Sequence, residues 1–491
     1  MTTTFNKWSI SMTSSTDPRP NVVLVFADDL ATWAIGAYGS RDAHTPNLDR
    51  LAAQGMLAEN FFCASPVCSP ARASLLTGKI PSQHGVHDWV RGGNAGLEGI
   101  DFLDGQTALH DVLSGAGYRC GMIGKWHLGA SDSPREAFDT WYAYEKGGGV
   151  YFSAPVYRGA DLEHPEAYLT DVLAEEAVDF LRGAAEDERP FYLNLSFTAP
   201  HYPWVDAHPI ELVDLFADAT FDDIPRMPAH PWLLLQNPET AAAIKDPEAS
   251  LRGYFAAVAG LDRALGRVLD EIDALDLAGE TLVALVGDNG FNAGHHGVWG
   301  KGNGTLPQNM YDTSVRVPAI FRHPRRIPSD VRISESLSGY DLLPTLLDFV
   351  GLDPLTVPTG LPGSSFTTLL EGASRGANHP IVVFDEYGPV RMIRTGEWKL
   401  VDRIAPEPSE LFHLSRDPDE DQNLFDDPRY RQIRDQLKSQ MEEWFERYTV
   451  PELDGRHLPV LGLGQRTLVR GHAPSDVFVP MAPPGTVPVL E

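Results

Sequence analysis

Cys68-Ser69-Pro70-Ala71-Arg72 puts a cysteine, a proline and an arginine within about one turn of helix, just ahead of Ala73-Ser74-Leu75-Leu76-Thr77-Gly78. Pro70 suits a first turn, where its missing N–H costs nothing, and Gly78 suits the stop. The spacing therefore predicts a helix that starts at Cys68 and carries Arg72 on the same face. Unpaired N–H groups, the helix dipole and the guanidinium are all expected to favour negative charge at Cys68. A second set is acidic: Asp28-Asp29 and Asp288-Asn289 offer only oxygen donors, which suit a hard divalent cation, Ca²⁺ with Mg²⁺ or Mn²⁺ as options, rather than zinc. A third set is basic: Lys125 and His127 in Gly-Lys-Trp-His-Leu-Gly, His201 after Ala199-Pro200, and Lys301 after Trp299-Gly300. Singly, each has an ordinary alternative. A cysteine is often a small buried residue, Asp-Asp a cap or solvated turn, Asp-Asn-Gly a turn, and a loop lysine or histidine plain surface.

The elements that must position these residues are legible as apolar runs. Asn21 to Ala27 reads as a buried parallel strand and stops at Asp28-Asp29. Tyr118 to Gly124 leads to Lys125 and His127, Phe191 to Phe197 runs toward His201, and Thr281 to Gly287 ends at Asp288-Asn289. Between them lie helical patterns, clearest from Ser250 to Leu275, where Tyr254, Val258, Leu261, Leu265 and Leu269 recur at helical spacing. Alternating strands and helices predict an α/β fold with a mostly parallel sheet covered on both faces. Ligands gather at the carboxyl ends of such strands, so four strands are expected to deliver their charged residues to one rim.

Cys-x-Pro-x-Arg followed by Ala-Ser-Leu-Leu-Thr-Gly resembles the signature of type I, formylglycine-dependent sulfatases, a family of the alkaline-phosphatase-like superfamily. The resemblance continues in order through Asp28-Asp29, the Lys125–His127 block, Ala199-Pro200-His201, Asp288-Asn289-Gly290, His296 to Lys301, and Tyr311 to Pro318, spanning Asn21 to about Val350. It implies that a separate formylglycine-generating enzyme oxidises Cys68 to Cα-formylglycine, whose hydrated aldehyde is the nucleophile. It also implies that Asp28, Asp29, Asp288 and Asn289 bind Ca²⁺, or sometimes Mg²⁺, together with an oxygen of the modified Cys68. Arg72, Lys125, His201 and Lys301 would neutralise the sulfate, and His201 or Lys301 would protonate the leaving oxygen. His127 would take a proton from the second hydroxyl so that sulfate departs and the aldehyde returns. His295 departs from the pattern, standing where relatives often carry an acidic residue.

The implied reaction is hydrolysis of an aryl, alkyl or carbohydrate sulfate, on a small molecule or a saccharide. A phosphonate monoester or phosphate diester hydrolase using the same site is the near alternative. A sulfated-ligand receptor without activity and a cysteine hydrolase are the remote ones; the first is expected to have lost at least one core residue, and none is missing here, while the second leaves the acidic set unexplained. Asp88 to Arg91, Gly147 to Tyr157, Tyr202 to Trp204 and Ile224 to Trp232 are expected to wall the pocket. Trp89, Trp204 and Trp232 could stack on a ring, although core packing is the commoner use.

With 491 residues, 43% of them hydrophobic, the chain can bury a large core, and 39 basic against 68 acidic side chains give a net charge of −29. Such a surface repels nucleic acid and anionic membrane, so a sulfate site is expected to be a local concentration of cations. Three cysteines, Cys63, Cys68 and Cys120, argue against a disulfide framework. The polar first twenty residues do not read as a signal peptide, and no run is long enough to span a bilayer, which predicts a cytoplasmic protein. Four regions are expected: a flexible segment 1–20, a catalytic domain 21–375, a small C-terminal α+β domain 376–450, and a Pro/Gly-rich tail 451–491. The small domain resembles that of the family, with a hairpin of Ile381–Tyr387 and Val390–Val401 turning at Thr395-Gly396 beside a helix near Arg429 to Tyr448. The irregular tail is expected to drape over the protein or over a neighbouring subunit in a homo-oligomer.

Overall fold

The computed structural model describes residues 19–91, 99–352, 358–373, 382–404 and 408–480. The segment 1–18, the boundary near 375, Ile381 and the end of the tail from 481 lie outside the described residues.

The strands, in chain order, are β1 Asn21–Ala27, β2 Met56–Phe62, β3 Arg119–Lys125, β4 Thr140–Tyr144, β5 Val156–Arg158, β6 Asp161–Glu163, β7 Phe191–Phe197 and β8 Thr281–Gly287. They continue as β9 Asn292–Ala293, β10 Trp299–Gly300, β11 Arg316–Arg322, β12 Val331–Ser338, β13 Val383–Tyr387, β14 Val390–Arg394, β15 Trp398–Arg403 and β16 Glu410–His413. Ten form one sheet in the order β12-β2-β11-β8-β1-β7-β3-β4-β5-β6. The four runs that end in ionisable residues are its centre, β8-β1-β7-β3, all parallel. Register aligns their ends: Ala27 pairs with both Gly287 and Phe197, and Gly124 with Ser196. β11 runs antiparallel to both β8 and β2, so β2 points the same way as the central strands and brings the chain toward Cys68 at the same rim.

The central strands are apolar on both sides because both sides are covered. Val22, Leu24 and Phe26 of β1 face one core, shared with the helix Cys68–Thr77 and the helix Leu342–Phe349. Val23, Val25 and Ala27 face the other, shared with the helices Pro46–Ala53, Leu169–Ala185 and Pro247–Ala274. The helix Pro247–Ala274 begins where Asp246 caps it by accepting from the Ala249 N–H, one of the first-turn donors that lack an intrahelical partner. The architecture is thus the mostly parallel, helix-covered sheet that the alternation predicted.

The second sheet is a four-stranded antiparallel meander, β13-β14-β15-β16, with the helix Arg431–Tyr448 against it. It is larger than the expected hairpin: the turn at Thr395-Gly396 joins β14 to β15, and β16 adds a fourth strand. Phe384, Ile393, Leu400 and Leu411 meet Leu437, Met441 and Phe445 of the helix on one face. Val383, Val390, Met392 and Val401 join the main core on the other. Among the described residues no helix is long and apolar enough to cross a membrane, and all three cysteines are buried and unpaired.

Candidate active site

The chain leaves β1 at Ala27 and turns through Asp28 and Asp29, both buried, with Asp29 in the left-handed region at φ 63. A non-glycine residue stays there only when its surroundings hold it. Tyr254 of the long helix does so, its hydroxyl donating to the Asp29 carbonyl at 2.6 Å. The next strands are tied in by their backbones: the Asp28 N–H donates to Ala199 O at 3.3 Å and the Asp288 N–H to Ala27 O at 3.1 Å.

These turns converge on one buried cluster. Asn289 donates through its side-chain amide to Asp29 Oδ1 at 2.6 Å, and its backbone N–H donates to Asp288 Oδ1 at 2.8 Å. Lys125 pairs with Asp28. Lys301 lies 2.5 Å from Asp29 Oδ1 and donates to Cys68 Sγ at 3.0 Å. Arg72 donates to Asp288 Oδ2 and to the Lys125 carbonyl, both at 2.8 Å. His201 Nε2 stands 3.8 Å from Asp29 Oδ2. Ligand-type atoms of Asp28, Cys68 and His201 lie within 4.8 Å of one another, and so do those of Asp28, Asp29 and Asp288.

Two sequence expectations change here. Cys68 does begin its helix, with Gly78 left-handed at the end, but it is not held as an anion. Burial, with the Asp28 charge adding, pushes the thiol up to about 12 despite Lys125 and Lys301. Arg72 is turned away to Asp288, so its charge serves the acidic turn. Nor is the site a bare concentration of cations. Arg72, Lys125 and Lys301 face Asp28, Asp29 and Asp288, three against three, and the ions are already paired.

The cluster nevertheless fits a divalent cation. Asp28 Oδ1 and Asn289 Oδ1 are buried without any hydrogen-bond partner, and a buried acceptor left open costs about 1–3 kcal/mol. Together with Asp29 and Asp288 they make the oxygen-only donor set that a hard cation takes. Burial would raise Asp28, but Lys125, His201, Lys301 and Arg72 hold it well below the usual carboxylate range. Burial and the neighbouring Asp28 push Asp288 the other way, to about 7.

The two histidines differ in which nitrogen is free. His127 Nε2 lies 2.9 Å from Val90 O; a carbonyl only accepts, so the ring proton sits on Nε2 and Nδ1, buried without a partner, carries the lone pair. Burial, with Lys125 and Arg72, holds His127 well below its ordinary value, which keeps it neutral. His201 Nδ1 lies 2.7 Å from Tyr202 O, and burial lowers its pKa too, leaving an Nε2 lone pair toward the cluster. Burial alone would lower Lys301, yet the charges of Asp29 and Asp28 hold it well above its ordinary value. Of the two candidate proton donors, Lys301 is the one that carries a proton to give.

The expected walls are partly right. A Cβ on Gly147 would come 2.1 Å from His127 Nε2, and one on Gly148 would come 2.4 Å from His201 Cε1, so this glycine pair lies directly on both imidazoles. Trp204 is core, edge-on to Tyr254 and Phe291. Trp89 and Trp232 are only half-buried. His295 packs on Trp33, ring centroids 5.2 Å apart. Glu239, on the first turn of the helix Pro238–Lys245, escaped the sequence reading: its Oε1 lies 4.0 Å from the position a Gly300 Cβ would take, next to Lys301. A lone glutamate after a proline carries no pattern that would have singled it out.

A family model described as Sulfatase matches residues 20–352, and one described as N-sulphoglucosamine sulphohydrolase, C-terminal, matches residues 294–447. Arylsulfatase A of Homo sapiens is 32% identical over 472 residues, covering 82% of this chain and 83% of its own. The ulvan-active sulfatase of Formosa agariphila is 27% identical over 445 residues, covering 86% and 80%. Among solved structures, BT4656 in complex with its substrate D-glucosamine-2-N,6-O-disulfate aligns with a TM-score of 0.75 at 23% identity, over 89% of this chain and 99% of that one.

Proposed function

The chain belongs to the sulfatase family and is a sulfuric ester hydrolase, and on that premise we propose that it removes sulfate from a sulfated saccharide through a Cα-formylglycine made from Cys68. In this reading Asp28, Asp29, Asp288 and Asn289 hold a divalent cation, Ca²⁺ for preference, beside the modified residue. One observation carries it: the Cys68 side chain sits within ligand distance of the Asp28 carboxylate, which belongs to a buried cluster where the carboxylate oxygen Asp28 Oδ1 and the amide oxygen Asn289 Oδ1 have no partner. The saccharide class is carried over from relatives, one named for ulvan and one solved with a glucosamine disulfate.

When present, the hydrated aldehyde supplies an attacking hydroxyl and a second hydroxyl for sulfate release, and the cation acidifies the first while adding positive charge. That added charge is what the balanced cluster needs before an anionic ester is drawn in against a net charge of −29. Lys125 and Lys301, with Arg72 through the one guanidinium nitrogen that its bonds to Asp288 and the Lys125 carbonyl leave open, then act as fixed donors around the transferring group, placed before the reaction rather than reorganised during it. Lys301 protonates the departing sugar oxygen, and His201, neutral and pinned by Tyr202 O, orients the group. His127, with its lone pair at Nδ1, accepts the proton whose removal frees sulfate.

The test joins chemistry to substrate. Intact-mass analysis of the maturated protein should find an aldehyde in place of the Cys68 thiol. Rates on sulfated monosaccharides, aryl sulfates, a phosphate diester and a phosphonate monoester should be highest on a sugar sulfate. Cys68→Ser, lacking the second hydroxyl, should lose multiple turnover by at least about a thousandfold while remaining folded. Full multiple turnover in Cys68→Ser, or a preference for the phosphonate over every sulfate, would reject the reading.

A further inference from the structure

Gln465 belongs to a tail that no motif marks, yet it is completely buried, and every one of its polar groups is engaged near the candidate site. Its side-chain carbonyl accepts from the His87 N–H at 2.8 Å and the Asp88 N–H at 3.4 Å. Its side-chain amide donates to Gly85 O and Thr467 O, each at 3.0 Å. Its backbone pairs in parallel with Val90: the Gln465 N–H donates to Trp89 O at 2.8 Å and the Arg91 N–H to Gln465 O at 2.9 Å. On the far side Gln465 bridges to Phe478, with the Arg466 N–H on Val477 O at 2.7 Å.

Val90 is the residue that matters chemically. Its N–H donates to Ser69 Oγ at 2.9 Å, one residue from Cys68, and its carbonyl fixes His127 at 2.9 Å. A single residue outside the two main sheets thus spans the nucleophile turn and the base, and the tail is what sets its position. The same tail reaches the opposite wall. Gly462 O accepts from Trp89 Nε1 at 3.0 Å and from Asn303 Nδ2 at 3.4 Å, two residues beyond Lys301. Asp88 closes the arrangement, accepting from the Gly464 N–H at 2.9 Å and from the Tyr387 hydroxyl at 2.6 Å.

We propose that Gln465 is a positioning residue for the release step: it holds the Val90 carbonyl that keeps His127 in its Nε2–H tautomer and aims Nδ1 at the reacting group. The proposal rests on the assignment of His127 as the base that frees sulfate. A glutamate at 465 lacks the two donors, a methionine of similar length lacks all four side-chain bonds, and an asparagine is one methylene short. Displacement of a catalytic group by an ångström costs up to about a hundredfold in rate, so the expected loss is between about tenfold and a hundredfold.

The test uses the full chain, matured and metal-loaded, with 4-nitrophenyl sulfate and N-acetylglucosamine 6-sulfate as probes. In Gln465→Met, kcat should fall by that factor and KM should fall with it, leaving kcat/KM within about twofold. Because His127 acts after the alcohol has left, rapid-quench traces should keep a full first-turnover burst of alcohol followed by slow turnover. The double variant Gln465→Met/His127→Ala should be no slower than His127→Ala alone, since two residues acting through one group are not additive. Gln465→Asn, which keeps the amide but withdraws it by one methylene, asks the same question should Gln465→Met not accumulate. An unchanged kcat, a burst reduced in proportion to kcat, or losses that multiply in the double variant would each overturn the role of Gln465. Loss of the burst in His127→Ala itself would instead overturn the assignment of His127.

Discussion

The molecule buries two clusters of charge, and they are built on opposite terms. Where the four-stranded sheet meets the main body, Asp312 takes Lys399 at 2.9 Å and Arg394 at 3.0 Å, Lys399 reaches Glu420 at 2.6 Å, and Glu420 accepts the Asp312 N–H at 2.6 Å. Its ions close on one another. Burial pushes Glu420 up to about 7, and burial holds the adjacent Asp385 well above the carboxylate range, which favours the neutral form of an acid whose two oxygens have no partner. At the rim of the large sheet Asp28, Asp29 and Asp288 face Arg72, Lys125 and Lys301 just as tightly, but Asp28 Oδ1, Asn289 Oδ1 and Arg72 Nη2 are left open, with a thiol in contact. A network whose open oxygens belong to acids pushed toward the neutral form joins two parts of a fold, whereas one whose open oxygen belongs to an ionised carboxylate is of the kind that takes a cation.

The difference can be broken at its strongest point first. Exhaustive chelation, verified by elemental analysis, should abolish turnover and be reversed by Ca²⁺ or Mg²⁺, and Asp28→Asn, which also leaves Lys125 without its carboxylate, should lower kcat/KM of the folded fraction by about a hundredfold or more. Unchanged rates in metal-free protein would remove the distinction between the clusters. The converse substitution is Lys399→Met, which leaves Asp312 and Glu420 buried without their ammonium. It should cost about 3–5 kcal/mol of stability, read by denaturant unfolding, while the folded fraction keeps its kcat. A kcat that collapses while stability holds would make the second cluster functional.

A smaller effect sharpens the rim itself. Gly148→Ala presses on His201 and Gly147→Ala on His127, and each should slow turnover by about tenfold with unchanged unfolding. Only Gly147→Ala should retain the alcohol burst, because only His127 acts after the alcohol leaves. The smallest expectation concerns stability alone. His110 is fully buried against Phe138 and Trp126, neither ring nitrogen is hydrogen-bonded, and burial pushes its pKa down to about 3. A histidine kept neutral in the fold adds stability that is present above its unfolded value near 6.5 and is lost as pH falls from there toward 3. Between pH 7 and pH 5 this amounts to about 2 kcal/mol, so His110→Leu should lose that much less stability than the natural protein over the same interval. Parallel curves would show that His110 is reached by solvent.

Much of the site was legible because its parts are local. Each of β1, β3, β7 and β8 is an apolar run that ends in its own charged residues, and Cys68, Pro70 and Gly78 mark a helix by their positions alone. What could not be read is which charge meets which. Arg72 was expected to serve Cys68, four residues away, and instead serves Asp288, 216 residues away; the acidic turn needed a buried counter-ion more than the thiol did. Asp312 gave no sign of its partners on β14 and β15, and Gln465 sits in a stretch of prolines and glycines with no period to read.

The four central strands, the cover on both faces of the sheet and the kinds of donors gathered at its rim followed from hydrophobic period and residue type, because burial and ligand preference are properties of short segments. The pairing of ions, the tautomer of His127, the glycines against the imidazoles and the part played by the tail were decided only by the tertiary structure. Those depend on distances of a few ångströms between segments hundreds of residues apart, and in a buried site such distances determine which proton or charge each group carries.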